Sequence, residues 1–306
     1  MIKPYKDGDS CEAKWSKSAL VNVRGATLTH KRMQTTWNAV ARAAKEGRWG
    51  KFAPDNITEK QFTKYMHTRR DVDGISARCL ANESAHIRRA LRGCGREDFA
   101  DAVTNQMLGI PKGSRIGTGK ATDPELLAAA RAAADDGVRA VIDICNGIGL
   151  RIREAVCSAE SLEIWRKEMD EGQPLTVEYG TKGDRPRCVF LRSDETRALA
   201  SAAIDRAIAH IKETGQEFMV DSSSLEGAIR MIQRDFAELG LESDNSSHSL
   251  RRDFSVREYL YLRLEGLTKR EACEKLSIAL GHGSSRHRWV WNNYLRATLE
   301  AMGHDD

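Results

Sequence analysis

A glycine-rich segment near the middle of the chain most strongly constrains its fold, because it separates two stretches that must each bury a core. Residues 109–121, GIPKGSRIGTGKA, contain four glycines, one proline and few apolar side chains, which is a linker composition. Asp123 and Pro124 follow with the N-cap and first-turn preferences of a new helix. A chain of 306 residues is long enough for two domains. We therefore predict four parts: an N-terminal extension over 1–25, a helical domain over 26–110, a linker over 111–122 and a second domain over 123–306.

The stretch 26–110 has the pattern of a small helical bundle. It shows no sustained alternation of apolar and polar residues. Thr58 and Gln61 form a capping-box pattern, which predicts the start of a helix, and a second helix is expected to begin near Ser76. This second helix carries an apolar stripe on one side and three arginines on the other: Arg88, Arg89 and Arg92.

The charge of the chain is distributed unevenly. Residues 1–121 contain 23 Lys and Arg against 12 Asp and Glu, a net charge of +11, whereas residues 122–306 contain 25 against 32, a net charge of −7. Concentrated positive charge attracts the phosphates of nucleic acid through the release of counterions. The N-terminal half is therefore the candidate nucleic-acid clamp, and Arg88, Arg89 and Arg92 are its candidate DNA contacts. An ordinary solvated basic surface is the alternative interpretation.

Composition excludes several classes of protein. Hydrophobic residues make up 41% of the chain and charged residues 30%, as in a globular protein rather than a disordered one. No run approaches the roughly 18 apolar residues that span a bilayer, and the first residues lack the apolar core of a signal peptide. The seven cysteines form no C-x-x-C pair, so we expect free thiols and no metal site. A cytoplasmic protein without a membrane partner is expected.

The second half contains the one convincing strand signal. The segments TVEY (176–179) and CVFL (188–191) flank the turn-rich, basic connection GTKGDRPR, which predicts a β-hairpin with Lys182 near its tip. Helical patterns resume afterwards, with capping boxes expected at Ser223 to Glu226 and at Thr268 to Glu271. The predicted fold class is mainly α: a helical bundle followed by a mixed α/β domain that is mostly helical and contains a small antiparallel sheet.

Six polar residues of this half stand out by their order along the chain. Each alone has an ordinary explanation as a surface or packing residue. His248 and Arg251, in HSLRRDF, are spaced i and i+3 on a predicted helix, so that both can reach one phosphate. Gly149 precedes a helix expected to start around Arg151. In chain order the six candidates are Arg151, Lys182, His248, Arg251, His282 and Tyr294.

The segments GLRIREA, TKGDRPRCVFL, HSLR and LGH, followed by a tyrosine, together resemble the catalytic domain of the tyrosine recombinases, or phage integrases. The resemblance covers about residues 123–300, and the segment GISARCLANESAHIRRAL (74–91) is similar to the core-binding domain of the family. It implies a site-specific DNA recombinase that cuts and rejoins strands through a 3′-phosphotyrosyl intermediate, for integration or excision of a mobile element.

The resemblance also implies partners. The working unit would be a homotetramer on double-stranded DNA with an inverted-repeat core site, each protomer clamping the DNA between its two domains. Accessory DNA-bending or directionality proteins are further expected partners, and the protein would be associated with the nucleoid. Because the bond energy is kept in the phosphotyrosyl link, no cofactor and no metal are implied.

Roles for the six candidates follow from this resemblance. The transition state of phosphoryl transfer concentrates negative charge, which Arg151 and Arg251 would meet with paired hydrogen bonds. Glu154 would orient these arginines or a histidine from behind.

The remaining candidates would handle the phenol, its proton and the leaving oxygen. Tyr294 would be the nucleophile. Since a phenol has a pKa near 10, it needs a proton acceptor, which would be His248. Lys182 would protonate the departing 5′ oxygen as general acid, and His282 would hydrogen-bond the scissile phosphate.

Two parts of this interpretation leave alternatives open. His282 and Tyr294 are twelve residues apart, farther than in many members of the family, so His287 could fill the role assigned to His282. Tyr294 could also serve only as a packing residue. For the whole protein, the rivals are a type IB topoisomerase-like enzyme, which relaxes DNA with the same chemistry, and a non-catalytic DNA-binding regulator on the same scaffold.

Overall fold

The structure is a computed structural model and describes residues 3–21, 27–46, 52–112 and 116–304; within these ranges the side chains of 27–29 and 244 are not described. The chain divides into two compact units, Met1–Ser114 and Arg115–Asp306. This division lies inside the segment 111–122 that the sequence predicts as a linker.

The first unit is a bundle of helices. Thr58 caps one of them through a complete capping box with Gln61, and Ser76 caps another through the Cys79 amide, as the sequence predicts. In order, the helices are α1 (Cys11–Leu20), α2 (Thr27–Lys45), α3 (Glu59–Asp71), α4 (Ala77–Gly93) and α5 (Glu97–Ala102).

Helix α1 belongs to the core of this bundle, although it lies in the stretch predicted as an N-terminal extension. The ring of Trp15 is fully buried and stacks on Trp37 and Phe52, with centroids 5.7 and 5.0 Å away. A Cβ atom at Gly93 of α4 would lie 1.8 Å from the Ser18 carbonyl oxygen, so α1 and α4 are in direct backbone contact. The separate extension over 1–25 is therefore wrong for the described residues of α1, because burial of aromatic surface ties them to the bundle.

The second unit is mostly helical with one small sheet, which confirms the predicted fold class. Short 3₁₀ turns lie at Ser158–Ser161, Ser243–Asn245 and Ser284–Arg286, and a π-helical turn lies at Trp291–Leu295. In order, the elements are α6 (Pro124–Ala133), α7 (Asp136–Gly147), α8 (Ile152–Val156), α9 (Leu162–Asp170), β1 (Leu175–Val177), β2 (Arg187–Val189), α10 (Asp194–Thr214), α11 (Leu225–Glu238), α12 (Ser247–Leu264), α13 (Lys269–Ala279), α14 (His287–Val290) and α15 (Arg296–Ala301).

Most helix-start signals of this unit appear where the sequence predicts them. Asp123 caps α6 by accepting from two backbone amides, with Pro124 at the first position. Thr268 caps α13 with a complete capping box. The box predicted at Ser223 to Glu226 is wrong by one residue: Ser224 is the N-cap and accepts from the Gly227 amide.

The predicted hairpin is present with shorter strands. Thr176 lies opposite Cys188 in an antiparallel ladder of three residue pairs. The ladder ends at the pair of Val177 with Arg187, because the next residue on that side, Pro186, has no amide hydrogen to donate. Tyr179 and Phe190, which the sequence assigns to strands, lie outside them.

The core of the second unit is built around α7, α10 and α12. Val141 and Ile144 of α7 and Phe254 of α12 are fully buried. All seven cysteines of the chain are free thiols. Within the part of the chain that the structure describes, none of the helices has the length and apolarity needed to cross a bilayer.

Candidate active site

Arg151 is positioned by a sharp approach of the backbone to α12. Gly149 has φ +73, and a Cβ atom there would lie 2.4 Å from Cδ1 of Phe254. Only glycine combines this left-handed conformation with so close a contact. The chain then enters α8 with Arg151 at the N-cap position, so its side chain leaves the core at the start of a helix. The predicted helix start near Arg151 is confirmed.

Glu154, three residues later, holds Arg151 in place. Its carboxylate accepts from the Arg151 backbone amide at 2.8 Å and from Arg151 Nη1 at 2.7 Å. The Glu154 side chain has no exposed surface. Burial works to raise the pKa of this carboxyl, but Arg187, Arg251 and Arg151 outweigh it and hold the pKa at about 2. Glu154 is therefore an anion surrounded by guanidinium groups.

Arg187 completes this cluster, and the sequence reasoning missed it. Its Nη1 and Nη2 donate to the two oxygens of Glu154 at 2.5 and 2.8 Å, and its Nε donates to the Ala279 carbonyl oxygen at 2.9 Å. The strand period explains its burial, since Arg187 and Val189 face inward whereas Cys188 is exposed. The signal that could have found it is an arginine at an inward-facing position of a predicted strand, where a charge must have a partner.

Arg251 on α12 is fully buried, and its guanidinium joins the cluster around Glu154. It donates to the Gly149 carbonyl oxygen through Nη1 and to the Leu280 carbonyl oxygen through Nη2, at 2.5 Å in the second case. Leu280 also accepts from Nη2 of Arg151 at 3.2 Å. Burial, together with the nearby cations Arg187 and Arg151, lowers the pKa of Arg251 to about 10, while Tyr294 acts to raise it. At neutral pH it remains a cation.

Three rings form an aromatic cluster beside these arginines. The imidazole of His282 lies 4.4 Å from the Trp289 ring and 5.9 Å from the Tyr294 ring, centroid to centroid. Tyr294 packs edge-on against Trp289 at 5.5 Å, and Cζ of Arg251 lies 5.8 Å from its ring. The predicted nucleophile therefore touches the predicted late histidine and lies next to a predicted phosphate-binding arginine.

Beside these arginines, His282 has a ring nitrogen without a hydrogen-bond partner in the described part of the chain. Its Nε2 is buried and has no hydrogen-bond partner among the described residues. Burial, then Arg251 and Arg151, lower its pKa to about 3. The ring is therefore neutral at physiological pH, and a bound anion that screens the two arginines would raise its pKa.

Tyr294 lies in the π-helical turn Trp291–Leu295 and is 6% exposed. The Asn293 carbonyl oxygen accepts from Arg252 Nε at 3.2 Å, and the Asn292 carbonyl oxygen accepts from the Gly117 amide at 2.9 Å. Interruptions of the regular helical ladder of this kind are frequent at functional sites. The turn is thus held by α12 and by the segment that precedes α6.

His248 lies one turn before Arg251 on α12, as the spacing predicts. The residue keeps part of its surface exposed to solvent. Partial burial of the ring, and then the cations Arg251, Arg252 and Arg151, lower its pKa, so a neutral imidazole that can accept a proton is favoured at neutral pH.

The structure does not bring Lys182 and His287 into the cluster. Lys182 is exposed on the connection between β1 and β2, and it forms no ion pair with any residue that the structure describes. His287 points toward another element: its Nδ1 lies 3.8 Å from Oε1 of Glu274 on α13. Of the two histidines that the sequence left open, His282 is the one beside Tyr294.

The three arginines proposed for DNA contact lie on α4 of the first unit in different surroundings. Arg88 is half-buried and donates to Oδ1 of Asn105 at 2.9 Å. Arg92 is exposed and pairs with Asp101 at 2.5 Å. Arg89 is half-buried.

The arrangement in the second unit can bind and polarise an anion. Arg151 and Arg251 share one carbonyl acceptor, Glu154 fixes one of them, and a phenol and a neutral imidazole lie alongside. Guanidinium groups held in this way need no reorganisation when charge develops on a bound phosphate. Within the described residues, no group of His, Cys, Asp and Glu has the geometry of a metal site.

Comparison with known proteins identifies a matching family model and solved structures with a similar fold. A family model described as Integrase matches residues 109–257. Among solved structures, a fragment of lambda integrase bound to DNA is 16% identical, covers 97% of this chain and 99% of that one, and has a TM-score of 0.59. The Tn1549 transposon integrase in complex with transposon right end DNA is 15% identical, with coverages of 96% and 98% and a TM-score of 0.59.

A lambda integrase tetramer bound to a Holliday junction is 17% identical, covers 90% of this chain and 77% of that one, and has a TM-score of 0.54. No protein of curated function matches the chain significantly by sequence. The structural likenesses show a shared fold.

Proposed function

We propose that this chain, whose residues 109–257 match the Integrase family model, is a site-specific recombinase of the tyrosine recombinase (phage integrase) family that cuts and rejoins DNA strands through a 3′-phosphotyrosyl intermediate. The observation that carries the proposal is that four residues far apart in sequence lie in one cluster. Arg151, Arg251, His282 and Tyr294 come from the start of α8, from α12, from the segment after α13 and from the π-helical turn. A tyrosine with only a packing role would not need the buried cation Arg251 beside it, nor Arg151 bound to the same carbonyl oxygen as Arg251.

The proposed cleavage step transfers a phosphoryl group without external energy. The phenol oxygen of Tyr294 attacks the scissile phosphorus, the bond to the 5′ oxygen breaks, and a 3′-phosphotyrosyl ester forms. Arg151 and Arg251 stabilise the negative charge on the non-bridging oxygens. His282 donates a hydrogen bond to the same phosphate through a ring N–H.

Two proton transfers complete this step. His248 takes the proton of the Tyr294 phenol. To accept this proton the imidazole must start unprotonated, and the lowered pKa of His248 favours that neutral form. Lys182 gives a proton to the departing 5′ oxygen after the β1–β2 connection moves toward bound DNA. In the reverse reaction a 5′ hydroxyl from another strand attacks the phosphotyrosine, and the two proton transfers run backward.

The proposed substrate is double-stranded DNA with an inverted-repeat core site, and the proposed assembly is a homotetramer on that DNA. In support, similar folds are found in a lambda integrase dimer bound to a core site and in a tetramer bound to a Holliday junction. The basic N-terminal unit, with Arg88, Arg89 and Arg92, would supply sequence-independent contacts to phosphates. We further propose a role in integration or excision of a mobile element, with accessory DNA-bending proteins, at the nucleoid.

The decisive experiment is capture of the covalent intermediate. Purified full-length protein is incubated with fragmented DNA from cells that carry the cognate element, and denaturant-resistant protein–DNA adducts are recovered and sequenced. We expect adducts in the wild type and none in Tyr294→Phe, because the phenylalanine has no nucleophile. The matched control is Tyr261→Phe on α12, which removes a phenol outside the site and should leave adduct formation unchanged.

The sequenced adducts also separate the rival functions. A common inverted repeat next to the attached strand end supports site-specific recombination. Adducts without any shared sequence, together with relaxation of every supercoiled plasmid, would instead identify a type IB topoisomerase-like enzyme. Binding to a defined site with no adduct would identify a non-catalytic regulator.

A further inference from the structure

Arg187 is the buried cation of the site that the proposed chemistry does not use. Its side chain is 6% exposed. All three nitrogens of its guanidinium bond within the protein, two to Glu154 and one to the Ala279 carbonyl oxygen. A guanidinium with this set of partners has its nitrogens engaged within the protein and does not bind a substrate directly. Any role of Arg187 must therefore be exerted through the groups that it binds.

The first of these groups is Glu154. Arg187 makes a two-bond fork to the carboxylate, whereas the Arg151 side chain makes one bond to it, through Nη1. If Arg187 were absent, both oxygens could close a fork on Arg151 and neutralise it. A guanidinium locked in a complete carboxylate fork has fewer donors left for phosphate. Arg187 therefore keeps Arg151 only partly engaged.

The second group is the end of α13. The carbonyl oxygens of Ala279 and Leu280 follow one another at the helix C-terminus, where the backbone carries partial negative charge. Ala279 accepts from Arg187, and Leu280 accepts from both Arg151 and Arg251. Arg187 thus fixes the helix end that also anchors the two phosphate-binding candidates.

The third group is the glycine before His282. Gly281 has φ +71, and a Cβ atom there would lie 2.9 Å from Cδ of Arg187. The aliphatic stem of Arg187 therefore lies directly on the backbone of the LGH segment. A shift of Arg187 would move the segment that carries His282.

We propose that Arg187 is a positioning residue for strand cleavage: it holds Glu154 and the 279–282 segment so that Arg151, Arg251 and His282 meet one phosphate together. This inference rests on the proposed recombinase function and deepens it, because it assigns a role to a residue outside the six candidates of the sequence.

Loss of Arg187 should make cleavage sensitive to acid. Arg187 is the strongest of the influences that lower the pKa of Glu154, and burial of the carboxyl opposes them. Without Arg187, the pKa of Glu154 rises, and a protonated Glu154 no longer anchors Arg151. The titratable and charged groups around this carboxyl come from its own turn, from α7, from β2, from α12 and from the residue after α8: Arg151, Cys145, Arg187, Arg251 and Cys157.

The test compares Arg187→Met and Arg187→Lys with wild type on a DNA substrate nicked so that cleavage traps the phosphotyrosyl adduct. We expect Arg187→Met to bind the DNA within about threefold of wild type but to cleave roughly a hundredfold more slowly, because only transition-state contacts are misplaced. Arg187→Lys keeps the charge but not the fork, so an intermediate rate is expected. If Arg187→Met does not fold, the lysine variant carries the comparison alone.

Arg192→Met is the matched control. Arg192 pairs with the buried carboxylate of Glu258 at 3.4 Å, away from the cluster. Arg192→Met also removes a guanidinium partner from a buried carboxylate, which then keeps the backbone amides of residues 192 and 193 as donors, but it should leave the cleavage rate near the wild-type value. An equal rate loss in Arg192→Met and Arg187→Met would show a merely structural effect and overturn the proposal.

The pH profile supplies a readout that general destabilisation does not move. The ratio of the Arg187→Met rate to the wild-type rate should fall as pH is lowered from 8 to 5.5. In a Glu154→Gln background, where no carboxyl can titrate, adding Arg187→Met should produce a constant ratio. A ratio that is the same at every pH in both backgrounds would contradict the inference.

Failure of the proposed function and failure of the role of Arg187 give different results. If wild-type protein forms no Tyr294-dependent adduct on any DNA, the proposed function itself is wrong. If wild type cleaves and Arg187→Met cleaves equally fast with the same pH profile, only the role of Arg187 is wrong.

Discussion

At the scale of single residues, burial and neighbouring positive charges lower the pKa values of Arg251 and His282. Arg251 has no exposed surface, and burial lowers its pKa to about 10, yet it remains charged at neutral pH. Burying such a cation is costly unless it has acceptors, and the carbonyl oxygens of Gly149 and Leu280 supply them. Burial, and then the positive charges of Arg251 and Arg151, lower the pKa of His282 to about 3.

This shift predicts how stability of the free protein depends on pH. The unfolded chain protonates His282 below its ordinary pKa of 6.5, whereas the folded protein keeps it neutral down to about pH 3. The unfolded state therefore binds more protons between these values, and the free energy of unfolding falls as pH is lowered from 6.5 toward 3. His282→Gln should reduce the loss between pH 7.5 and 5 by about 1 kcal/mol, after allowance for solvent screening.

Urea unfolding at the two pH values measures this difference. His304→Gln, which changes an exposed histidine near the chain end, is the control and should keep the wild-type dependence on pH. An unchanged dependence in His282→Gln would contradict the assigned pKa.

At the scale of elements, the site depends on pieces too short to be stable alone. Helix α8 has five residues, and isolated helices of that length do not form in water. It is maintained by the cap between Arg151 and Glu154 and by the close approach of Gly149 to Phe254 on α12. The same holds for the π-helical turn of Tyr294, which Arg252 and the backbone of Gly117 hold from outside.

Two glycines with similar positive φ angles allow the cost of the left-handed backbone conformation to be distinguished from the cost of a steric clash. Gly149 has φ +73 and Gly172 has φ +67, but a Cβ atom at Gly172 would have nothing within 4 Å. Gly172→Ala should lower the free energy of unfolding by about 1 kcal/mol, from the left-handed conformation alone. Gly149→Ala adds a clash with the Phe254 ring and should cost at least about 3 kcal/mol.

Denaturant unfolding of both variants checks this prediction. Cleavage by Gly149→Ala should also be reduced, since Arg151 is displaced, whereas Gly172→Ala should cleave normally. Equal losses of stability in the two variants would show that the approach to Phe254 does not matter.

At the scale of the whole molecule, the uneven distribution of charge along the chain follows the division into two compact units. The first unit has its own apolar core around Trp15, Trp37 and Phe62, and the second has a separate core around α7 and α12. The basic residues are concentrated before residue 121, and the later part of the chain is net acidic. We therefore assign most non-specific affinity for DNA to the first unit.

The salt dependence of DNA binding tests this assignment. Each phosphate contact adds a slope of about 0.9 to the fall of log K with log salt. Arg92→Ala removes an exposed cation of α4 and should reduce the slope by about one contact, uniformly across DNA sequences. Arg88→Ala should change the slope less and the stability more, because its guanidinium is bonded to Asn105 inside the unit.

Fluorescence anisotropy with labelled DNA at several salt concentrations measures both slopes. A larger effect of Arg88→Ala than of Arg92→Ala would reverse the assignment of these two residues.

Local signals in the sequence account for the elements that neighbouring residues determine. The caps at Thr58, Ser76, Asp123 and Thr268 were predicted correctly, because a cap is a hydrogen bond between residues three apart or fewer. The hairpin and the shared face of His248 and Arg251 follow for the same reason. The order of the polar motifs also indicated the resemblance to the family, and the fold brings Arg151, Arg251, His282 and Tyr294 together.

Only the tertiary structure determined which groups share the buried space. Arg187 meets Glu154 across 33 residues and Ala279 across 92, and no local pattern encodes such a contact. Burial forces a charge to find a partner wherever the fold brings one, so the partner is a property of packing. The choice of His282 over His287 beside Tyr294, and the inclusion of α1 in the first core, depend on packing in the same way. Local patterns of residues thus predicted the caps, the hairpin and the order of the site residues, whereas the packing of distant segments set the contacts within the site.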